Sequence, residues 1–297
     1  MAGNGGAVSA EYVCGRGAHL GECPVWDDRA ETLHWLDCTA PAVFSLTSGT
    51  VEPERAALAE MIGSFALRSE GAGCVAAVET GFAWLDPRDG GLTPIIDPEA
   101  GKPENRFNDG GADPGGGFVA GSMARTLQGR QGTLYRLDAQ GVAKPIFGSV
   151  GVPNGLAFSP DGGTMYWADS LDGVIFAFDF DRADGAVRHR RVLVPSGVAP
   201  GFPDGAAVDE QGCLWSARWR GGCVARFTPD GALDRVIELP VNRVTACTFG
   251  DADLGTLYVT TASAGMDADA VAREPLAGGL FAIRPGVSGI PAWRYSG

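Results

Sequence analysis

Residues 155–185 read GLAFSPDGGTMYWADSLDGVIFAFDFDRADG. An apolar run, a Pro-Asp-Gly-Gly turn, a second run, an Asp-Gly turn and a third run follow one another within 31 residues, the pattern of strands joined by tight hairpins. The chain repeats it. GAAVDEQGCLWSARWRGGCVARFTPDG starts at Gly205, CPVWDDRAETLHWLDCTAPAVFSLTSG at Cys23, and FALRSEGAGCVAAVETGFAWLDPRDG at Phe65. GADPGGGFVAGSM leads into GTLYRLDAQG from Gly111, and CTFGDADLGTLYVTTASAG into GGLFAIRPG from Cys247. Equivalent second-strand positions are Trp35, Val75, Phe118, Tyr166, Leu214 and Leu257, spaced 40 to 48 residues apart. Sixfold recurrence at that period predicts an all-β, six-bladed β-propeller with about four antiparallel strands per blade. Helical periodicity is nearly absent, which excludes a parallel sheet with crossover helices, and a β-sandwich does not account for the recurrence.

Composition agrees. Glycine is 45 of 297 residues, as a turn-rich chain requires. The formal charge of −13 argues against nucleic acid or an anionic membrane as a partner, since both call for a basic surface. No apolar run approaches the ~20 residues of a membrane span. MAGNGGAVSA at the N-terminus has neither the basic nor the apolar part of a secretory signal, so residues 1–10 are expected to be a disordered tail before a single domain over 11–297. Seven cysteines without a C-x-x-C pair predict reduced thiols and a cytoplasmic protein; Cys38, Cys74, Cys213, Cys223 and Cys247 read as small core residues. The SPDGG turn connects strand to strand and is no phosphate loop.

In a propeller, residues just before the first strand of each blade and just after the second gather around one mouth of the central channel. Ten to 13 positions ahead of the six markers stand Glu22, Gly63, Asn108, Asn154, Asp204 and Thr245. Any one of these, beside Gly or Pro, reads as a plain turn residue. Four oxygen-bearing side chains at one place in four blades point instead to a cation, because gathered carboxylates repel one another. Oxygen donors favour Ca, Mg or Mn, with Zn the less suited alternative. His34 and His189 read as structural or solvent-facing, and His19 as a spectator near Glu22. Asp209, in a turn, is expected to matter little.

LGECPVW, NRFNDG, VPNGLAFSPDG, FPDGAAVDEQGCLWSARWRGG and CTFG…LYVTTAS…PLAGGLFAI resemble the gluconolactonase, or regucalcin (senescence marker protein), family in order and over nearly the whole chain. The resemblance implies one divalent metal and hydrolysis of a small sugar lactone to its aldonic acid. It puts Glu22, Asn154 and Asp204 on metal-ligand positions, gives Asp204 the acid/base work as well, and puts Arg106 and Asn108 against the substrate. Arg125 stands in Gly121-Ser122-Met123-Ala124-Arg125-Thr126, where the family often carries an acidic residue a few positions on; it is expected either to point to solvent or to enter the pocket as a donor. Trp219 is expected to wall the sugar ring. A calcium-binding regulatory propeller without catalysis and a metal-dependent esterase or phosphotriesterase are the alternatives.

Overall fold

The computed structural model describes residues 9–15 and 18–297. Most of the expected tail, residues 1–8, lies outside them, and Ala10 already pairs with Ile283. The described residues form six four-stranded antiparallel sheets. Strand β1 (Ala10–Cys14) precedes blade one, which is β2 (Gly21–Asp27), β3 (Thr32–Asp37), β4 (Ala42–Thr47) and β5 (Glu54–Ala57). Blade two is β6 (Ile62–Leu67), β7 (Cys74–Val78), β8 (Gly81–Asp86) and β9 (Gly91–Ile96). Blade three is β10 (Asn105–Ala112), β11 (Phe118–Ala124), β12 (Gly132–Leu137) and β13 (Ala143–Val150). Blade four is β14 (Pro153–Phe158), β15 (Thr164–Asp169), β16 (Val174–Phe180) and β17 (Val187–Val194). Blade five is β18 (Phe202–Val208), β19 (Leu214–Trp219), β20 (Cys223–Phe227) and β21 (Leu233–Glu238). Blade six is β22 (Val244–Gly250), β23 (Thr256–Thr261) and β24 (Leu280–Ile283), completed by β1 on its outer edge. The ring is thus closed by pairing the start of the chain with its last blade. A short helix, α1 (Ala268–Arg273), capped by the Asp267 side chain, lies between β23 and β24.

The sheets cannot bury their faces alone. Six apolar clusters fill the six gaps between neighbouring blades; Leu36 and Val43 of blade one, for instance, pack with Ile62 and Phe65 of blade two. Second strands such as β3, β7 and β11 are buried along their whole length, whereas the outer β9, β17 and β21 are largely exposed. The small thiols of Cys38, Cys74, Cys213, Cys223 and Cys247 are buried as expected, and all seven cysteines are free. No helix among the described residues is long and apolar enough to cross a membrane.

One irregularity recurs in every blade. The pairing of the innermost strand with its neighbour shifts register at Glu22/Val25, Ile62/Ser64, Phe107/Gly110, Asn154/Ala157, Pro203/Ala206 and Val244/Ala246. Such bulges bend a strand and re-aim its side chains. Each lies at the polar-ring position of its blade.

Candidate functional site

The bulges explain why the ring residues face one another. Cys23 and Gly155, directly after Glu22 and Asn154, both adopt a left-handed backbone (φ 46° and 59°). Glycine takes that conformation freely; Cys23 is held in it while its Sγ accepts from the Phe65 N–H (3.4 Å) across the gap to blade two. Blade two offers no ring side chain because none would fit: a Cβ on Gly63 would stand 2.4 Å from the Asn108 carbonyl oxygen.

Blades three, four and five are tied by a chain of hydrogen bonds. Arg106 Nη1 donates to Asn108 Oδ1 (2.7 Å), and Asn108 Nδ2 donates to Asn154 Oδ1 (3.1 Å) and to the Pro153 carbonyl (2.8 Å). Asn154 Nδ2 donates to Ser170 Oγ (2.8 Å), which donates to the carbonyl of Pro203, the residue before Asp204. This polarity leaves the second lone pair of Asn154 Oδ1 available. Thr245 in blade six is fully buried and donates to the Gly21 carbonyl (2.6 Å), holding blade one beside Glu22.

The charges across this ring are unbalanced. Burial, and then the nearby carboxylates of Asp204 and Asp109, push Glu22 well above the usual carboxylate range. Burial, followed by Asp109, does the same to Asp204. Asp109, which the sequence reading passed over, is raised by burial to about 6 although the N–H groups of Leu156, Gly110 and Gly155 favour its charged form. Arg106 faces Glu22, and Arg218 faces Asp204. Among the described residues no three His, Cys, Asp or Glu side chains converge closely enough to hold a cation by themselves. A hard divalent cation fits the mixed set of two carboxylates and the Asn154 amide, because all three donate oxygen and the surplus negative charge is neutralised. Below the ring, the inner strands and residues 290–293 enclose a cavity of about 150 Å³ with mainly apolar walls, Asp109 lying at its edge.

Residues 20–263 match the family described as SMP-30/Gluconolactonase/LRE-like region. Regucalcin of Oryctolagus cuniculus is 36% identical over 298 residues, covering 98% of this chain and 99% of that protein. The chain belongs to the SMP-30/gluconolactonase family. Among solved structures, a regucalcin of Agrobacterium tumefaciens described as a calcium-binding protein superposes with a TM-score of 0.91 at 28% identity, over 97% of this chain and 98% of that one. A luciferin-regenerating enzyme gives a TM-score of 0.90 at 26% identity, over 98% of this chain and 100% of its own.

On this family scaffold, Glu22, Arg106, Asn108, Asn154 and Asp204 come together at one mouth. Trp219 stands at the mouth end of β19, half-buried, paired in register with Phe202 two residues before Asp204, with the Arg243 guanidinium 5.8 Å from its ring centre. Arg125 neither points freely into solvent nor bonds to a ring residue: its Nε donates to the Pro103 carbonyl (2.9 Å), and its Nη1 pairs with Glu79, directly after the second strand of blade two. His34 is buried against Ser45 (2.8 Å), His189 pairs with Asp179 (2.7 Å), and His19 bonds Thr39 (2.7 Å). Asp109 was within reach of the sequence, directly after Asn108, but an Asn-Asp-Gly-Gly string reads as a turn unless the bulge that turns two consecutive residues inward is known.

Proposed function

We propose that the protein is a metal-dependent lactonase acting on a small sugar lactone such as a glucono-, xylono- or arabinonolactone. The observation that carries this reading is the convergence of Glu22, Asn154 and Asp204, from blades one, four and five, on one mouth with negative charge in surplus. Glu22, Asn154 and Asp204 would hold a single divalent cation. When bound, such an ion supplies Lewis acidity toward the lactone carbonyl oxygen. Asp204 takes a proton from the attacking water and delivers one to the ring oxygen as the C–O bond breaks, so that water adds across the ester and the hydroxy acid leaves. Asn108 and Arg106 hydrogen-bond to substrate oxygens, with Arg106 held in place by Asn108. Trp219 offers an apolar edge to the sugar ring, and Arg125 sits at the rim between blades two and three.

The deciding experiment is an assay of purified protein on these lactones and on an aryl ester and a phosphotriester, before and after chelation and with Ca, Mg, Mn or Zn restored, alongside calorimetry with each ion. Lactone turnover that chelation abolishes and one of the ions restores supports the reading. Tight calcium binding without any turnover would make it a calcium-binding propeller, and turnover confined to the aryl ester or phosphotriester would make it another hydrolase on the same site.

A further inference from the structure

In blades one, four and five the loop leading into the strand that carries the ring residue is held by a side chain at one equivalent place, the end of the second strand. In blade one this is Asp37, in register with Gly21; it is 2% exposed, and its carboxylate accepts from the N–H groups of His19 (2.5 Å) and Leu20 (3.2 Å) just ahead of Glu22. In blade four it is Asp169, in register with Pro153; it is 1% exposed and accepts from Gly151 (3.0 Å) and Val152 (2.9 Å) just ahead of Asn154. In blade five the residue in register with Pro203 is Arg218. The charge is inverted, and so is the partner: the guanidinium, 2% exposed, gathers carbonyls instead of N–H groups, donating from Nε to Pro200 (2.9 Å) and from Nη2 to Gly201 (3.0 Å) and Ala199 (3.4 Å). Its Nη1 is buried with no hydrogen-bond partner among the described residues.

We infer that Arg218 is the positioning residue of Asp204: it folds the 199–201 loop onto the second strand and so sets where the Asp204 carboxylate stands relative to Glu22 and Asn154. A buried guanidinium with an orphaned N–H is a costly way to hold a loop that a neutral side chain could hold. Three carbonyls in succession, however, call for a planar donor fork, which the point charge of a lysine cannot supply. The same fork leaves a positive charge facing Asp204, where the equivalent side chains of blades one and four, Asp37 and Asp169, are carboxylates.

This inference rests on the proposed site, and its test separates the two. Arg218→Met and Arg218→Lys are compared with wild type by manganese calorimetry, by kcat and KM on gluconolactone at saturating manganese, and by thermal melting. Displacing a catalytic group by about 1 Å costs on the order of 100-fold in rate. In Arg218→Met, kcat at saturating metal is therefore expected to fall by about that factor with KM within about threefold. Its manganese Kd is expected to rise about tenfold, and Arg218→Lys to recover part of both losses by keeping one donor to the loop. Should Arg218→Met not fold, Arg218→Lys alone is read, with the same losses in reduced measure. Folded variants whose manganese Kd and kcat both match wild type overturn the inference. A wild-type protein that binds manganese but turns over no lactone overturns the functional reading only, and the Kd of the variants still decides on Arg218.

Discussion

At the scale of single residues, the proposed chemistry rests on the ring residues, above all on Asp204. Asp204→Asn keeps an oxygen donor but removes the base, so kcat is expected to fall by about 10²–10⁴-fold in metal-loaded protein that melts normally. Near wild-type turnover would take the proton transfer away from Asp204. Asp109 makes a different prediction, on stability. Its carboxyl is raised from the ordinary 3.8 to about 6 by burial. The folded state therefore binds the proton more tightly than the unfolded chain, and its stability falls as pH rises from about 4 through about 6, the full cost remaining above that. Asp109→Asn is accordingly expected to stabilise the metal-free protein by about 1–3 kcal/mol at pH 8 and to change little at pH 4. Urea titrations at both pH values read this directly, and equal effects at the two would dismiss it. Arg125 is tied to Glu79 across blades two and three. Arg125→Ala is expected to change the ratio of kcat/KM between five- and six-carbon aldonolactones while leaving metal affinity intact, and an unchanged ratio puts the residue outside the site.

At the scale of elements, acidic residues stand at the hairpins as well as at the ring positions of blades one, three and five, and from the sequence the two kinds look alike. Asp209, read as a turn residue of little weight for activity, is fully buried. It accepts from the Gln211 and Cys213 N–H groups (both 3.0 Å), from Trp215 Nε1 (2.8 Å) and from Arg226 on the third strand (2.7 Å). Asp113 pairs likewise with Arg136 (2.7 Å) in blade three, whereas the Asp251–Arg284 pair of blade six (3.1 Å) is largely exposed. Arg226 keeps the Asp234 carboxylate (2.9 Å) and the Gln211 amide oxygen (2.8 Å) when Asp209 is changed, so Asp209→Asn is expected to cost about 1–3 kcal/mol through the charge-assisted hydrogen bonds it loses. Chemical denaturation should show that loss while kcat of the remaining folded protein stays put. Asp204 lies near the start of β18 and Asp209 directly after its end, so five residues separate the ring from the hairpin. The Asp-Gly strings and hairpins were legible in the sequence; the buried network that Asp209 makes with Trp215 and Arg226 was not.

At the scale of the whole molecule, the chain ends are the fastening. Strand β1 completes blade six, and the last ten residues cross the far side of the ring and touch every blade. The Ser288 carbonyl accepts from Glu210 (2.9 Å), Gly289 donates to Leu254 (2.8 Å), and Arg294 pairs with Asp27 (2.7 Å). Tyr295 donates to the Leu67 carbonyl (2.9 Å), Ser296 to that of Gly116 (2.9 Å), and Arg182 of blade four lies 5.6 Å from the Trp293 ring. The same segment floors the channel cavity beneath the ring. Since Tyr295 is fully buried, deleting residues 288–297 is expected to lower Tm by about 10 °C or more, the effect of losing a large buried aromatic and its neighbours. A truncated protein that melts like wild type would show that the inter-blade clusters alone hold the ring.

The local pattern determined the blades. Strand, hairpin and repeat length are set by neighbours within some 40 residues, so the six second strands and the ring position ahead of each could be read directly, down to Glu22, Asn108, Asn154 and Asp204. Tertiary structure alone decided what depends on distant segments meeting: the closure of blade six by β1, the C-terminal strap, the absence of room at Gly63, and the convergence of Asp109 with Glu22 and Asp204. A bulge changes which way a side chain faces without changing its residue type, and the charge a carboxylate carries is set by the other carboxylates that folding brings to it. Neither quantity exists until the ring is closed.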